Sequence, residues 1–165
     1  MAITYRDEKG SQLSSAEVDA NFRAVTDSYG EITFSGTGGD LNPTDIPMKI
    51  TTFDTEKSSI GLSASHLNNV LVVNNPGAYQ LNVSVNATVS DSEIYQVYIA
   101  KNDIELASEP IDVQKNITEL VIKGTSFVQN VVANDEFSIY VASSTAGGQE
   151  FSPTFLKLQM TKVGQ

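Results

Sequence analysis

The amino-acid sequence predicts a mainly β protein, an antiparallel jelly-roll sandwich preceded by an N-terminal arm with one short α-helix. The clearest observation is residues 79–89, where apolar and polar side chains alternate without interruption. A second is the number of other short apolar segments, which turn-forming residues separate at the intervals typical of a sandwich. A third is residues 14–29, where apolar side chains recur at helical intervals instead.

The N-terminal arm is predicted to span residues 1–34 and to hold a helix over residues 15–28. Ser14 and Glu17 have the spacing of a capping box, in which a hydroxyl and a carboxylate each bind an unpaired backbone N–H. Gly30 stands where a C-terminal cap is expected. Four apolar side chains at intervals of four, three and four residues share one helical face: Val18, Phe22, Val25 and Tyr29.

That apolar face has two interpretations, which stay open at this point. It packs either on the body of its own chain or on a partner, and we favour the partner because a single short helix is marginally stable alone. Residues 35–47 are rich in glycine, proline and aspartate, which predicts a hinge. The jelly-roll domain then spans residues 48–165.

Within the domain, residues 79–89 form the longest predicted strand, with Asn82 and Asn86 on its solvent face. Residues 101–103 and 133–135 have the composition of turns. The other predicted strands are Lys49 to Phe53, Asn69 to Val73, Tyr95 to Ala100, Ile104 to Ala107, Glu119 to Thr125, Phe127 to Val132, Phe137 to Ala142 and Thr154 to Thr161.

Composition excludes several classes of function. The chain has 165 residues and no cysteine, so neither a disulfide framework nor a thiolate metal site is expected. Ten Lys and Arg stand against 20 Asp and Glu, and the basic residues are scattered, so no nucleic-acid partner is expected. No apolar run approaches the length of a membrane span, and the polar N-terminus is unlike a signal peptide.

No catalytic or cofactor-binding constellation stands out, and we expect a protein that is not an enzyme. His66 is the only histidine and is interpreted as a surface residue. The glycine-rich stretch at residues 35–40 lacks the lysine that a phosphate-binding loop requires. Asp91, Glu93 and Asp103 are interpreted as solvated turn residues, with a calcium site as the lesser alternative.

The N-terminal segment resembles that of many fibre and head-appendage proteins of tailed phages. The resemblance lies in a charged turn followed by a helix with the pattern Leu-Ser/Thr-x-x-Glu-Val-Asp-x-Asn-Phe, here residues 13–22. It implies attachment to the phage particle. The residues expected to attach the chain are Ile3, Tyr5, Arg6, Leu13, Val18, Phe22, Val25 and Tyr29.

The body resembles the jelly rolls of tumour-necrosis-factor-like proteins and of complement globular heads. Three short motifs in the expected order carry this resemblance: residues 75–79, 97–103 and 131–140. Asn134 stands where that family usually has a glycine, and asparagine tolerates the left-handed conformation. The family is generally trimeric, so the resemblance implies a homotrimer.

Together these observations predict a structural protein of a tailed-phage virion: a trimeric head fibre or capsid decoration protein anchored by its N-terminal segment to a capsid or tail protein. The alternative is a small tail-associated receptor-binding protein whose jelly roll binds a glycan or protein of the host surface. No cofactor and no metal is expected for either.

Overall fold

The computed structural model of the protein describes residues 12–18, 28–89, 94–105, 111–113, 119–146 and 148–164. Two antiparallel sheets face each other across one core. The strands are β1 (Tyr29–Ser35), β2 (Met48–Lys49), β3 (Thr55–Glu56), β4 (Leu62–Ser65), β5 (Val70–Val73), β6 (Gly77–Val89), β7 (Tyr95–Lys101), β8 (Ile104–Glu105), β9 (Ile111–Val113), β10 (Glu119–Val131), β11 (Glu136–Ser143) and β12 (Phe151–Gly164).

Sheet A has five strands in the order β10-β6-β12-β1-β3, and sheet B runs β4-β5-β11-β7-β8, with β2 paired to β11 and β9 to β7. Apart from the hairpins β4–β5 and β7–β8, neighbouring strands in each sheet are not consecutive in sequence, as Greek-key connections produce. The alternation predicted for residues 79–89 is confirmed, because β6 alternates buried and half-buried side chains from Tyr79 to Val89.

The core lies between the sheets. Sheet A contributes alternate side chains of β6 and β12, among them Leu81, Leu158 and Met160, all fully buried. Sheet B contributes Phe137 and Ile139, also fully buried. Each such side chain contributes roughly 1.5–3 kcal/mol by leaving water, so the alternation of β6 and β12 determines which face of sheet A turns inward.

Several predicted boundaries differ from the structure. The segments predicted at 119–125 and 127–132 are one strand, β10, which pairs continuously with β6 as far as Val128. The segment predicted at 49–53 is a strand only at Met48–Lys49. Strands β3 and β4 were not predicted, because two and four residues give no measurable alternation.

The largest correction concerns residues 29–47. Tyr29 and Gly30 do not end a helix, since both lie in β1, where they pair with Thr161 and Met160 of β12. Inward-facing Ile32 and Phe34 are buried, and this burial outweighs the helical spacing that Tyr29 shares with Val18. The jelly roll therefore includes β1, and only residues before 28 remain as a candidate arm.

Residues 35–47 are bonded to the sandwich along their length and are not a hinge. The Gly36 and Gly38 N–H groups donate to Thr154 and Pro153 carbonyls at 3.1 and 2.9 Å. Leu41 exchanges backbone hydrogen bonds with Phe151 at 2.9 and 3.0 Å. Glycine is required at 38 for close approach, because a Cβ there would lie 3.0 Å from the Pro153 carbonyl oxygen.

The two predicted turns are confirmed. Asn102 and Asp103 have φ values of 54° and 58°, which suits the turn between β7 and β8. Asn134 has a φ of 71°, so asparagine takes the left-handed position in the turn before β11, as expected.

Candidate functional site

The outer face of sheet A, which turns away from the core, is the candidate functional site. The strand register arranges its side chains in four rows of four. From the end where β1 begins, the rows are Tyr29-Thr161-Gln80-Phe127, Glu31-Gln159-Asn82-Thr125, Thr33-Lys157-Ser84-Lys123 and Ser35-Phe155-Asn86-Val121. Facing residues of neighbouring strands stand about 5 Å apart, so each row is a continuous surface.

An ion pair neutralises two of the charges on this face. The Lys157 ammonium lies 3.1 Å from Glu31 Oε2, and the Glu31 side chain is only 12% exposed. The Tyr29 hydroxyl donates to the same oxygen at 3.0 Å. Burial and this hydrogen bond to Glu31 raise the pKa of Tyr29, so its hydroxyl stays a donor across the physiological range.

Asn82 is at the centre of a second set of hydrogen bonds. Its Oδ1 accepts from Thr125 Oγ1 at 2.9 Å and from Gln80 Nε2 at 3.3 Å. Its Nδ2 lies 3.5 Å from Gln159 Oε1. These bonds tie β10, β6 and β12 together and satisfy the amide of Asn82 within the chain.

Asn86 lies four residues further along the same strand, and the pairing of its amide oxygen differs from that of Asn82. Asn86 Oδ1 is buried and accepts no hydrogen bond from any residue that the structure describes. An unpaired buried acceptor is costly, so the fold leaves one polar atom of this strand unsatisfied among the described residues. Asn86 also lines a depression of about 210 Å³ together with Thr88, Glu119, Val121 and Thr154.

The same face exposes large apolar side chains along one edge. Among the described residues, strand β10 is the last strand at this edge of sheet A, and Phe127 and Val121 on it are 68% and 57% exposed. A thirteen-residue edge strand with exposed apolar side chains is a surface that other chains pair with unless it is protected.

Few of the sixteen side chains carry charge. They include two lysines, Lys123 and Lys157, and one acid, Glu31, and the next row adds Glu119, so the face is formally neutral whereas the whole chain carries −10. Depletion of charge together with aromatic side chains is typical of the centre of a protein–protein interface. The outer face of sheet A therefore carries far less net charge than the rest of the chain.

The predicted attachment residues are only partly within the described ranges. Ile3, Tyr5, Arg6, Phe22 and Val25 lie outside them. The capping box forms as predicted: the Ser14 N–H donates to Glu17 Oε2 at 2.7 Å, and the Glu17 N–H donates to Ser14 Oγ at 3.3 Å. Residues 15–18 are helical, Leu13 is half-buried and Val18 is 37% exposed. Tyr29 is separated from this group by its position in β1.

His66 and Asp103, which the sequence analysis weighed as catalytic or calcium-binding residues, each pair with neighbouring side chains. His66 Nδ1 lies 2.9 Å from Glu56 Oε1, and the histidine side chain is 36% exposed. Backbone and side-chain hydrogen bonds from His66 lower the pKa of Glu56. Asp103 accepts hydrogen bonds from Tyr140 and Lys49 at 2.9 and 3.1 Å, and both lower its pKa.

Two further features of the described residues bear on function. No three His, Asp or Glu side chains among them come together as metal ligands would. None of the helices found in those ranges has the length and apolar character needed to cross a membrane. Asp91 and Glu93, two of the carboxylates considered for calcium, lie outside the described ranges.

Only part of this site could be predicted from the sequence. It predicted that Asn82 and Asn86 face outward, since the period of β6 determines it. It missed the Glu31–Lys157 pair, because Glu31 was assigned to the arm. A signal was present in residues 30–34, where Gly30, Ile32 and Phe34 alternate with polar side chains.

Comparison with known proteins supports the fold and leaves the family open. No protein-family model and no curated protein matches the sequence. Solved structures do match. The Eiger tumour necrosis factor of S. frugiperda has a TM-score of 0.52 at 11% identity, covering 84% of this chain and 94% of that one. The globular domain of zebrafish complement 1qA has a TM-score of 0.54 at 11% identity, covering 84% and 98%.

Murine APRIL is similar to the same extent, with a TM-score of 0.50 at 10% identity over 81% of this chain and 98% of that one. At these identities the likeness concerns the fold alone. The chain therefore has a jelly roll like those of tumour necrosis factor and complement globular-head domains, as the sequence motifs led us to expect.

Proposed function

We propose that this chain is a trimeric structural protein of a tailed-phage particle, a head fibre or capsid decoration protein that its N-terminal segment attaches. The observation that carries the proposal is the segment at residues 13–22, which has the pattern of phage fibre and head-appendage proteins. Its capping box between Ser14 and Glu17 forms with both backbone hydrogen bonds, in keeping with a helix that begins where the pattern requires.

The outer face of sheet A supports the trimeric part of the proposal. It combines a low net charge with the exposed side chains of Phe127 and Val121. Jelly rolls of the two families that the sequence resembles are generally trimeric. A closed three-fold ring would bury this face three times over, and burial would remove the exposed apolar side chains from water.

The position of residue 28 explains how a trimer would present its arms. The Lys162 N–H donates to the Ser28 carbonyl at 2.8 Å, and Asn75 Nδ2 donates to Ser28 Oγ at 3.3 Å. The arm therefore leaves the sandwich at the end of sheet A where Tyr29 begins β1. In a ring closed through sheet A, three arms leave at the same end, and linked attachment multiplies a weak single contact.

Deletion of residues 1–27 tests attachment. Ser28 is fully buried and all of β1 remains, so the truncated chain keeps its strands. We expect an unchanged melting temperature but no co-sedimentation with particles that lack the protein. Phe22→Ala should weaken attachment steeply, since a buried Phe contributes about 2–3 kcal/mol in each of three arms, whereas Gln12→Ala, at an exposed polar position of the same arm, should not.

Electron microscopy of the particle distinguishes the two versions of the proposal. Many copies on the shell are expected for a head fibre or decoration protein. A few copies at the tail would favour the receptor-binding alternative. Normal binding of the truncated chain to particles would show that the arm is not the anchor.

A further inference from the structure

Two tyrosines stand side by side on the outer face of sheet B, the face that turns away from the core. Tyr98 of β7 pairs with Tyr140 of β11, and Tyr140 pairs in turn with Lys49 of β2. All three residues are half-buried. The trimer proposed above covers sheet A, so it leaves this row of sheet B accessible to another ligand.

The ring of Tyr140 extends along the sheet towards one end of β7. Its hydroxyl donates to Asp103 Oδ1 at 2.9 Å, and Asp103 lies in the turn after β7, beyond the next row of the face. That next row is Ser138 and Ala100, which face outward yet are only 1% and 0% exposed. Tyr140 and Lys49, which both reach Asp103, therefore lie over these small side chains. One side of the Tyr140 ring is packed on them and the other side faces solvent.

Tyr98 extends in the opposite direction. Its hydroxyl donates to Gln96 Oε1 at 2.7 Å, and Gln96 is one row further from the turn on the same strand. In that row Gln96 faces Ala142, another small outward side chain that is only 1% exposed. The two rings together form a flat aromatic surface along the face. Hydrogen bonds hold both rings in place before any ligand arrives, which lowers the entropy cost of binding.

Charged groups of both signs lie at the edge of this aromatic surface. The Lys49 ammonium is 3.1 Å from Asp103 Oδ1, and the Asp103 side chain is 59% exposed. Lys49 and Tyr140 both donate to Oδ1, which leaves Oδ2 of the carboxylate as an acceptor for a ligand. An ammonium has three N–H donors, so Lys49 can serve a ligand as well as Asp103. The pair has no net charge, in a chain that carries −10.

We propose that this face of sheet B binds a neutral glycan, with one sugar ring stacked on Tyr140 and a neighbouring sugar ring on Tyr98. The face of an aromatic ring is apolar and electron-rich, so it attracts the flat C–H face of a pyranose ring. Hydroxyls at the edge of the stacked sugar accept from Lys49 and donate to Asp103 Oδ2. The glycan is neutral because the site has no net charge and the acidic chain repels polyanions.

The site goes beyond attachment to the particle and depends on neither the arm nor the trimer. It lies on sheet B, whereas the arm leaves from sheet A and the proposed contact between copies is made there. A trimer would present three such sites. On a surface that repeats the glycan, linked binding then multiplies a weak single affinity.

Calorimetric titration of the full-length chain with neutral oligosaccharides tests the site. The probes are short oligomers of glucose, mannose, galactose and N-acetylglucosamine, and at least one should bind wild type with a Kd of about 1 mM or tighter. Tyr140→Leu and Tyr98→Leu keep an apolar side chain over the small residues but remove the aromatic face. Each should raise the Kd about tenfold. Lys49→Met, which removes the ammonium, should raise it about threefold to tenfold.

Leu67→Ala is the matched control, because Leu67 is an exposed apolar residue of the turn between β4 and β5, outside this surface. Its Kd should equal that of wild type. Tyr140→Phe keeps the ring and should stay within about threefold of wild type. It also serves if a leucine variant fails to fold, since lost binding in a folded Tyr140→Phe chain would contradict stacking on the ring.

The remaining outcomes are distinct. Wild type that binds none of the probes overturns the glycan site. Binding that both leucine variants retain overturns its assignment to the two tyrosines, and so does an equal loss in Leu67→Ala. A wild-type chain that binds a probe but is monomeric at every concentration overturns the proposed trimer alone and supports the glycan site.

Discussion

The outer faces of the two sheets differ in which polar and apolar side chains they bring together. On sheet B, Asp103 accepts from both Lys49 and Tyr140, and the Tyr98 hydroxyl donates to Gln96 Oε1 at 2.7 Å. On sheet A, one end is equally well paired around Asn82. The other end has the unpaired oxygen of Asn86, and Phe127 is exposed on strand β10.

In the proposed trimer, this difference makes the outer face of sheet A the one that another copy covers. Both faces are built by the same period-two strands, so neither propensity nor alternation distinguishes them. What distinguishes them is the balance of donors and acceptors across neighbouring strands. A face whose groups satisfy each other needs no partner, whereas buried unpaired acceptors and exposed aromatic side chains are stabilised by one.

The largest expected effect comes from replacing the exposed aromatic side chain of strand β10 with a charged one. Phe127→Glu places a charge where an aromatic side chain is 68% exposed, and we expect the trimer, about three times 17.8 kDa, to become a monomer. Loss of an aromatic anchor from an interface costs about 2 kcal/mol or more. Ile104→Glu is the control, since Ile104 is 74% exposed on β8 of sheet B.

Light scattering at micromolar concentration measures both masses. If Ile104→Glu dissociates the protein and Phe127→Glu does not, the two faces have been assigned the wrong way round.

The next effect concerns folding on the sheet B side. Asp135 is 5% exposed and binds the Lys101 ammonium at 2.7 Å, Asn102 Nδ2 at 2.9 Å and the Val132 N–H at 2.8 Å. Asp135→Ala leaves these donors unpaired and should lower the free energy of unfolding by about 2–3 kcal/mol. Trimer mass should not change.

The same residue predicts a pH dependence. Burial alone would raise the pKa of Asp135, but the hydrogen bonds from Lys101, Val132 and Asn102 outweigh it and lower the pKa. Its contribution is therefore present above the pKa of an unfolded aspartate, near 4, and is lost as the pH falls through the folded value. Urea denaturation should show the wild type and Asp135→Ala converging in acid, while Asp45→Ala, at an exposed position, matches wild type throughout.

The sequence predicted the fold more completely than the site, for a physical reason. The alternation of β6 follows from burial along one strand, and local sequence records it. The Glu31–Lys157 pair joins β1 to β12, and the Asn82–Gln159 contact joins residues 77 positions apart. Such pairs depend on strand order and register, which no local pattern records.

Residues 29–47 show a different limit. Glycine and proline near Gly38 indicated a hinge, yet glycine is needed there because the backbone passes close to Pro153. A glycine that allows close packing and one that allows flexibility look alike in sequence. The spacing between Val25 and Tyr29 matches that of a helix, but Tyr29 pairs with Thr161 and belongs to strand β1.

A smaller effect separates the two asparagines of β6. In a monomeric Phe127→Glu background, Asn82→Leu should lower the free energy of unfolding by about 1–2 kcal/mol, because Thr125 and Gln80 lose their acceptor. Asn86→Leu in the same background should not lower it, since its oxygen has no donor to lose. Urea denaturation of both double variants measures the difference. Equal losses at the two positions would mean that Asn86 is already paired within the monomer.

The smallest expected effect is spectroscopic and tests whether the Tyr140 hydroxyl on sheet B is buried and bonded to Asp103. Burial, together with the hydrogen bond to Asp103 and its charge, raises the pKa of Tyr140 to about 12. Neutral Tyr140 is thus favoured by folding, so its contribution to the free energy of unfolding is complete below the pKa of an unfolded tyrosine, about 10, and is lost as the pH rises through the folded value.

Tyrosinate absorbance during an alkaline titration should show a late step that Tyr140→Phe removes. Asp103→Asn should move that step to lower pH without bringing it to 10, because burial, the larger cause, remains. A late step unchanged by Asp103→Asn would show that the Asp103 carboxylate does not hold the Tyr140 hydroxyl.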